Sequence, residues 1–228
     1  MGVVVRLSLA QRPKPYRGIG MEGIVARWYA INTAKMLAQF QSEAKRIAAN
    51  LHAGDRVLEI APGPGYLAIE LAKLGAFRIT GIDISRSFVR IAAAKAAQAE
   101  VCIEFREGDA AALPFLENSF ELVVCRAAFK NFSDPTGAVR EMHRVLKPGR
   151  KALIVDLRYD ASDQAIDAAV DEMHLGRGDT FMNKAIFRYV LRKRAYSRSN
   201  FADMAKAAPF SDCEIVQGEI GFEVRLMK

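Results

Sequence analysis

Residues 56–73, RVLEIAPGPGYLAIELAK, constrain the fold more than any other stretch, because they read as a buried strand, a stiff glycine turn and a helix in immediate succession. Val57, Leu58 and Ile60 form a short apolar run after the turn-like Ala53-Gly54-Asp55, which suits a central parallel strand buried on both faces. In the turn, Gly63 and Gly65 lack a Cβ and can take positive φ, while Pro62 and Pro64 fix φ and stiffen the loop. From Tyr66 onward the spacing of Leu67, Leu71 and Leu74 is helical. The unpaired amides at such a helix start attract anionic or polar ligand groups.

Downstream the pattern alternates. Residues 77–83, FRITGID, read as a second strand ending in an acid, and Ser85 can cap the alanine-rich helix that follows to about Glu100. Residues 101–106, 120–125 and 152–156 read as strands three to five, with a helix over 135–146 that stops at Lys147-Pro148-Gly149. This alternation predicts an α/β fold, Rossmann-like and doubly wound, with helices on both faces of a parallel sheet. Residues 213–217 and 222–227 are strands so close in sequence that they should form an antiparallel hairpin at a sheet edge.

At 228 residues and 51% hydrophobic, the chain reads as one domain, 1–228. Residues 1–51 form a leading helical lid on this reading, in which Ile24, Trp28, Ile31, Met36, Leu37, Phe40 and Ile47 pack inward. Residues 159–198 form a second helical insertion or lid after strand five. The net charge of +7 is concentrated between Arg177 and Arg198, where a solvated helix face is the simplest explanation. Cys102, Cys125 and Cys213 are few, odd in number and mostly strand-borne, so neither disulfides nor a metal cluster is indicated. A reducing, cytoplasmic location is expected, since no stretch has the pattern of a signal peptide or the length of a membrane span.

In an open parallel sheet, ligands sit outside the carboxyl ends of the strands where the strand order reverses. Glu59, Asp83, Asp109 and the pair Cys125-Arg126 all fall at such ends. Asp83, closing strand two, is placed to accept from both hydroxyls of a ribose. Asp109 is placed to accept from an exocyclic amine, with the Ala110 amide facing a ring nitrogen. Glu59, at the mouth of the glycine turn, suits a ligand that carries positive charge beside an adenosine.

In these features the chain resembles the class I S-adenosylmethionine-dependent methyltransferases, from about Trp28 to the C-terminus. The family's first motif, an acid followed by alternating glycines, is met by Glu59, Gly63 and Gly65, with Ala61 where the first glycine is usual. Its second matches GIDIS, with Asp83 on the ribose and Ile84 against the adenine; its third matches GDAAALPF, with Asp109 and Ala110 on the adenine edge. NSFELVVCRAAFKNFSDP and RVLKPGRKALIV look like its later landmarks. The resemblance implies a seven-stranded sheet with the closing hairpin, S-adenosylmethionine as cofactor, and a cofactor site drawn from Glu59, Ala61, Pro62, Gly63, Gly65, Tyr66, Asp83, Ile84, Asp109, Ala110, Cys125 and Arg126.

Methyl transfer from a sulfonium is a direct displacement, so alignment and exclusion of water are the main tasks, and no metal is required. His174, in the poorly patterned DEMHLGRGDTF, is a candidate general base, and Tyr29 a candidate for positioning the acceptor. Arg126, Lys130, Arg158, Arg177, Lys184 and Arg188 give the acceptor side positive character, favouring an anionic small molecule. Residues 186–198 also read as a basic amphipathic helix, which allows a lipid-like acceptor and peripheral membrane contact. The absence of a separate binding module argues against nucleic acid, and the sequence leaves the oligomeric state open. Two alternatives stand beside this reading. One is a short-chain NAD(P)-dependent oxidoreductase using the Tyr189-x-x-x-Lys193 spacing, and the other is an S-adenosylmethionine-binding protein without catalysis.

Overall fold

In the computed structural model, which describes residues 16–18, 20–173 and 175–228, seven strands form one sheet in the order β3-β2-β1-β4-β5-β7-β6. The strands are β1 (Arg56–Ile60), β2 (Arg78–Asp83), β3 (Ile103–Glu107), β4 (Phe120–Arg126), β5 (Leu146–Leu157), β6 (Asp212–Gln217) and β7 (Gly221–Met227). The first five run parallel, while β7 lies antiparallel between β5 and β6, so the expected hairpin closes the sheet edge. The strand order reverses between β1 and β4, which is the switch point of a doubly wound sheet.

The helices are α1 (Gly23–Ala34), α2 (Leu37–Ala48), α3 (Tyr66–Ala72), α4 (Arg86–Gln98), α5 (Pro135–Val145), α6 (Asp163–Asp171), α7 (Arg177–Ile186), α8 (Arg192–Arg194) and α9 (Arg198–Ala205). Their starts follow local chemistry. Ser85 caps α4 by accepting the Phe88 amide at 3.1 Å, Asp134 caps α5 ahead of Pro135, and Ser197 with Asn200 forms a capping box on α9. Two apolar clusters flank the sheet. Leu58, Ile60 and Val123 pack towards α5 and α9, whereas Val57, Leu122 and Val124 pack towards α2 and α3.

Three expectations need correction. First, the large apolar residues of α1 do not pack inward: Ile24 is 84% exposed, Ile31 68%, and Trp28 is exposed as well, as is Leu37 at the start of α2. Helix α1 buries only its small residues Ala26 and Ala30 and meets α4 through Tyr29 on Phe88 and the Gly23 amide on Ser87 Oγ, which leaves the other large side chains outward. Phe40 and Ile47 of α2 are buried as expected.

Second, β5 starts at Leu146 and runs through Lys147-Pro148-Gly149, where its pairing with β4 shifts register and Gly149 takes φ of 71°.

Third, residues 186–198 do not form one basic helix. A π-helical turn over Phe187–Leu191 separates α7 from α8. Lys184, Arg188 and Arg192 face Asp171, Asp167 and Asp163 of α6, so these three cations are paired along an ion-pair ladder. Among the described residues, no helix is long and apolar enough to cross a membrane.

Candidate active site

Asp83 ends β2 and is only 5% exposed. Its Oδ2 accepts the Gly63 amide at 3.0 Å and its Oδ1 accepts the Ser85 amide at 2.9 Å, so it locks the glycine turn against β2. Burial raises its pKa to about 6, against the lowering effect of these two amides.

Within the turn, Ala61, Gly63 and Gly65 all occupy the left-handed region, with φ of 55°, 55° and 80°. Ala61 therefore adopts the conformation usual for glycine and bears the steric cost of its Cβ. The two glycines serve different ends. A Cβ on Gly65 would lie 2.9 Å from Ala92 Cβ and 3.0 Å from the Phe105 ring, so this glycine permits α3 to pack on α4 and β3. A Cβ on Gly63 would meet only the Tyr29 ring, at 3.9 Å, leaving the backbone open to a ligand. Pro62 braces the turn over Gly81 of β2.

Glu59 lies on the face of β1 that looks towards α2 and α3, and its Oε2 is buried without a hydrogen-bond partner. Burial first, then the neighbouring Glu43 carboxylate, push its pKa up to about 8, against the lowering effects of Arg126 and the Ala68 amide. Arg126, at the end of β4, does not point freely into the site. Its Nε donates to Glu43 of α2 at 2.5 Å and its guanidinium lies 4.4 Å from the Phe40 ring centroid. Tyr66 presents its backbone at the start of α3, while its hydroxyl donates to Ala30 O at 2.9 Å and ties α1 to the core. Cys125 is fully buried, and burial pushes its thiol well above the ordinary range.

The residues expected on an adenine side stand together. Asp109 accepts the Ala111 amide at 2.9 Å, Ala110 packs on the core, Ile84 is 37% exposed, and the Gly108 amide donates to Asp83 O at 3.0 Å. Tyr29 is half-buried against Phe88 and faces Gly63. His174 lies outside the described residues.

The opposite wall is built by residues that sequence reasoning passed over. Residues 16–18 cross the loop after β4, with Tyr16 bridged to Phe132 and the Arg17 amide donating to Asn131 O at 2.8 Å. Burial and the neighbouring Tyr29 raise the Tyr16 phenol, Arg194 opposes, and Asp83 adds to the rise, so this phenol lies within electrostatic reach of both sides of the site. Tyr196 packs edge-on against Phe129 and receives a 3.5 Å contact from Arg17. Beneath them Lys130 and Asp156 form a buried ion pair at 2.8 Å, and Asn131 Oδ1 is buried without a partner. Of the six cations expected on the acceptor side, Arg126, Lys130, Arg158, Lys184 and Arg188 are thus paired with carboxylates. Tyr16 was missed because a Pro- and Gly-rich loop hides a fixed aromatic. Glu43 left a signal, since it shares the inward stripe of α2 with Phe40, Ala44 and Ile47. Tyr189 is 60% exposed and Lys193 is exposed, so the oxidoreductase spacing does not form a site.

The set fits S-adenosylmethionine: an unsatisfied buried carboxylate oxygen for a cationic group, an open glycine backbone, and an acid at the end of β2 for ribose. Comparison with known proteins agrees. Residues 58–154 match the family described as "Methyltransferase domain". The chain is 30% identical over 174 residues to a demethylmenaquinone methyltransferase of Mycobacterium marinum, covering 75% of this chain and 71% of that one. It is 38% identical over 112 residues to a demethylmenaquinone methyltransferase of Deinococcus radiodurans, covering 49% of this chain and 46% of the relative. The chain thus spans about half the length of that relative, as it does for those of Chlorobaculum. A solved structure from Methanococcus maripaludis, provisionally assigned as an S-adenosyl-L-methionine-dependent methyltransferase, superposes with a TM-score of 0.76 over 92% of this chain and 95% of that one at 24% identity, and shares the fold.

Proposed function

Since the chain belongs to the class I S-adenosylmethionine-dependent methyltransferase family, we propose that it methylates a ring carbon of a lipid-like hydroquinone by direct displacement. The observation that carries the acceptor side is the aromatic and cationic group of Tyr16, Tyr29, Tyr196, Arg17 and Arg194, of which Tyr29 faces Gly63 of the glycine turn. The curated relatives named for demethylmenaquinone support the same class of acceptor.

Bound S-adenosylmethionine supplies an electrophilic methyl group on a sulfonium sulfur. Asp83 would take the ribose hydroxyls, Asp109 and the Ala110 amide the adenine edge with Ile84 over its face, and Glu59 the ammonium group. The open backbone at Gly63 admits the ligand beneath Tyr29, whose ring then excludes water from the reacting centre. A ring carbon becomes nucleophilic when the ring hydroxyl ionises, and the Arg17 and Arg194 guanidiniums would stabilise that negative charge. As the new C–C bond forms, the methyl–sulfur bond breaks to leave the neutral thioether, and the ring carbon then loses its hydrogen to solvent as a proton, restoring the aromatic ring. Exposed Phe181, Tyr189 and Val190 on α7 and the π turn suit peripheral contact with the membrane from which such an acceptor would come.

The test is incubation with S-adenosylmethionine and either a reduced polyprenyl naphthoquinone lacking the ring methyl, in detergent, or soluble carboxylate and phosphate acceptors, with products read by mass spectrometry. One methyl on a ring carbon of the hydroquinone is expected. Transfer only to a soluble anion would overturn the acceptor class. Cofactor binding without transfer to any of them would point instead to a binding protein.

A further inference from the structure

Two buried carboxylate oxygens without hydrogen-bond partners, Glu43 Oε1 and Glu59 Oε2, lie around one guanidinium. Arg126 is committed to Glu43, at 2.5 Å, and is held there by the Phe40 ring. Among the described residues, Glu59 is left with a neighbouring acid and no counter-ion of its own. The groups that face Glu59 are Glu43 of α2, Arg126 of β4, Asp83 of β2 and the Ala68 amide of α3, so two acids and one cation surround it.

We propose that Glu43 is a positioning residue of the cofactor site: it holds the Arg126 guanidinium on the α2 side and so keeps the Glu59 carboxylate free for the ammonium group of the cofactor's amino-acid end. A buried acid beside another acid retains its proton until a cation arrives. On binding near neutral pH, the Glu59 carboxyl gives its proton to solvent and the ammonium takes its place. Removing the charge of Glu43 would free Arg126 to pair with Glu59. The site would then be neutralised by its own arginine, and the ammonium would compete with a tethered guanidinium. Because Glu43 sits on α2, the same contact couples cofactor capture to the docking of the leading helices. The inference rests on the cofactor and is independent of the acceptor.

The test is calorimetric titration of the full chain with S-adenosylhomocysteine, which carries the ammonium, and with methylthioadenosine, which lacks it. Each titration is run in two buffers of different ionisation heat, so that protons released can be counted. Wild type should release protons on binding the first probe and none on binding the second. Glu43→Gln should bind S-adenosylhomocysteine about tenfold more weakly, the size of one charge-assisted contact, with the proton release abolished and methylthioadenosine affinity unchanged. Glu43→Asp should restore part of both effects. Unchanged proton release in Glu43→Gln would overturn the proposal, as would an equal loss for both probes, which would mark a merely structural role. Failure of wild type to bind either probe would overturn the cofactor assignment with it.

Discussion

The Gly63 amide donates a 3.0 Å hydrogen bond to Asp83 Oδ2 across 20 residues of sequence, so the glycine turn and the acid of β2 are one rigid unit. Asp83 also takes the Ser85 amide. Asp83→Ala leaves two buried amides without acceptors, at about 1–3 kcal/mol each, and should lower stability measurably in urea. Asp83→Asn keeps an acceptor oxygen for one of the two amides, so it should lose less stability than Asp83→Ala while weakening S-adenosylhomocysteine about tenfold. Equal affinity in Asp83→Asn would remove this residue from the ribose.

The two glycines of the turn should separate binding from folding. Gly65→Ala drives a Cβ into Ala92 and Phe105 and should cost about 1–3 kcal/mol in denaturant unfolding, beyond the strain of its positive φ. Gly63→Val has room on the protein side, and a β-branched residue at φ of 55° bears about 1–2 kcal/mol of strain. It should block the ligand while the protein remains folded, read as a lost calorimetric isotherm. A normal isotherm would mean that ligand does not approach this backbone.

Ala61 should tolerate glycine. At φ of 55° its Cβ is strained, and the relief offsets the extra chain entropy of glycine in the unfolded state, about 0.4–1 kcal/mol. Ala61→Gly is expected to leave the urea midpoint unchanged or raised. A clear drop would show that the methyl group contributes packing that outweighs the strain.

Stability of the ligand-free protein should fall as pH rises. Burial lifts Glu59 from 4.5 to about 8 and Asp83 from 3.8 to about 6. The folded chain therefore keeps protons that the unfolded chain has already released. Unfolding then becomes easier from about pH 4 until the folded-state value is passed near pH 8. Thermal melts without ligand should show a lower Tm at pH 8 than at pH 6. Glu59→Gln should flatten the difference; an unchanged slope in that variant would exclude Glu59 as its source.

The ion pair of Lys130 and Asp156 is buried, with side chains 5% and 1% exposed. Lys130→Met strands a buried carboxylate and should cost about 3–5 kcal/mol by urea unfolding. Adding Asp156→Leu should recover only part, because Asp156 also accepts the amides of Lys130 at 2.8 Å and Leu157 at 2.7 Å. Full recovery would show that these amides find other acceptors.

The elements of the sheet and the grouping of Asp83, Ile84, Asp109 and Ala110 at the strand ends were legible because each is encoded by neighbours in sequence. The apolar run of β1 and the Ser85 cap both act within a few residues. Even the place of Asp83 follows from where one strand ends. Local patterning also misled, since the hydrophobic spacing of α1 predicts an inward face that the structure turns to solvent. Which face of a helix is buried depends on the partner it meets, and α1 buries Ala26 and Ala30 and sets Tyr29 on Phe88 of α4, leaving Ile24 and Ile31 to solvent.

The sequence by itself determined the order of strands and helices, the glycine turn and the acids at the strand ends, because backbone preference and side-chain period act locally. Only the tertiary structure decided which charges are free. Arg126 meets Glu43 across 83 residues, Lys130 meets Asp156, and the cations of α7 and α8 meet the acids of α6. A charge is neutralised by whatever the folded chain brings within a few ångströms in a low-dielectric interior, and that distance is set by packing, which no local pattern records.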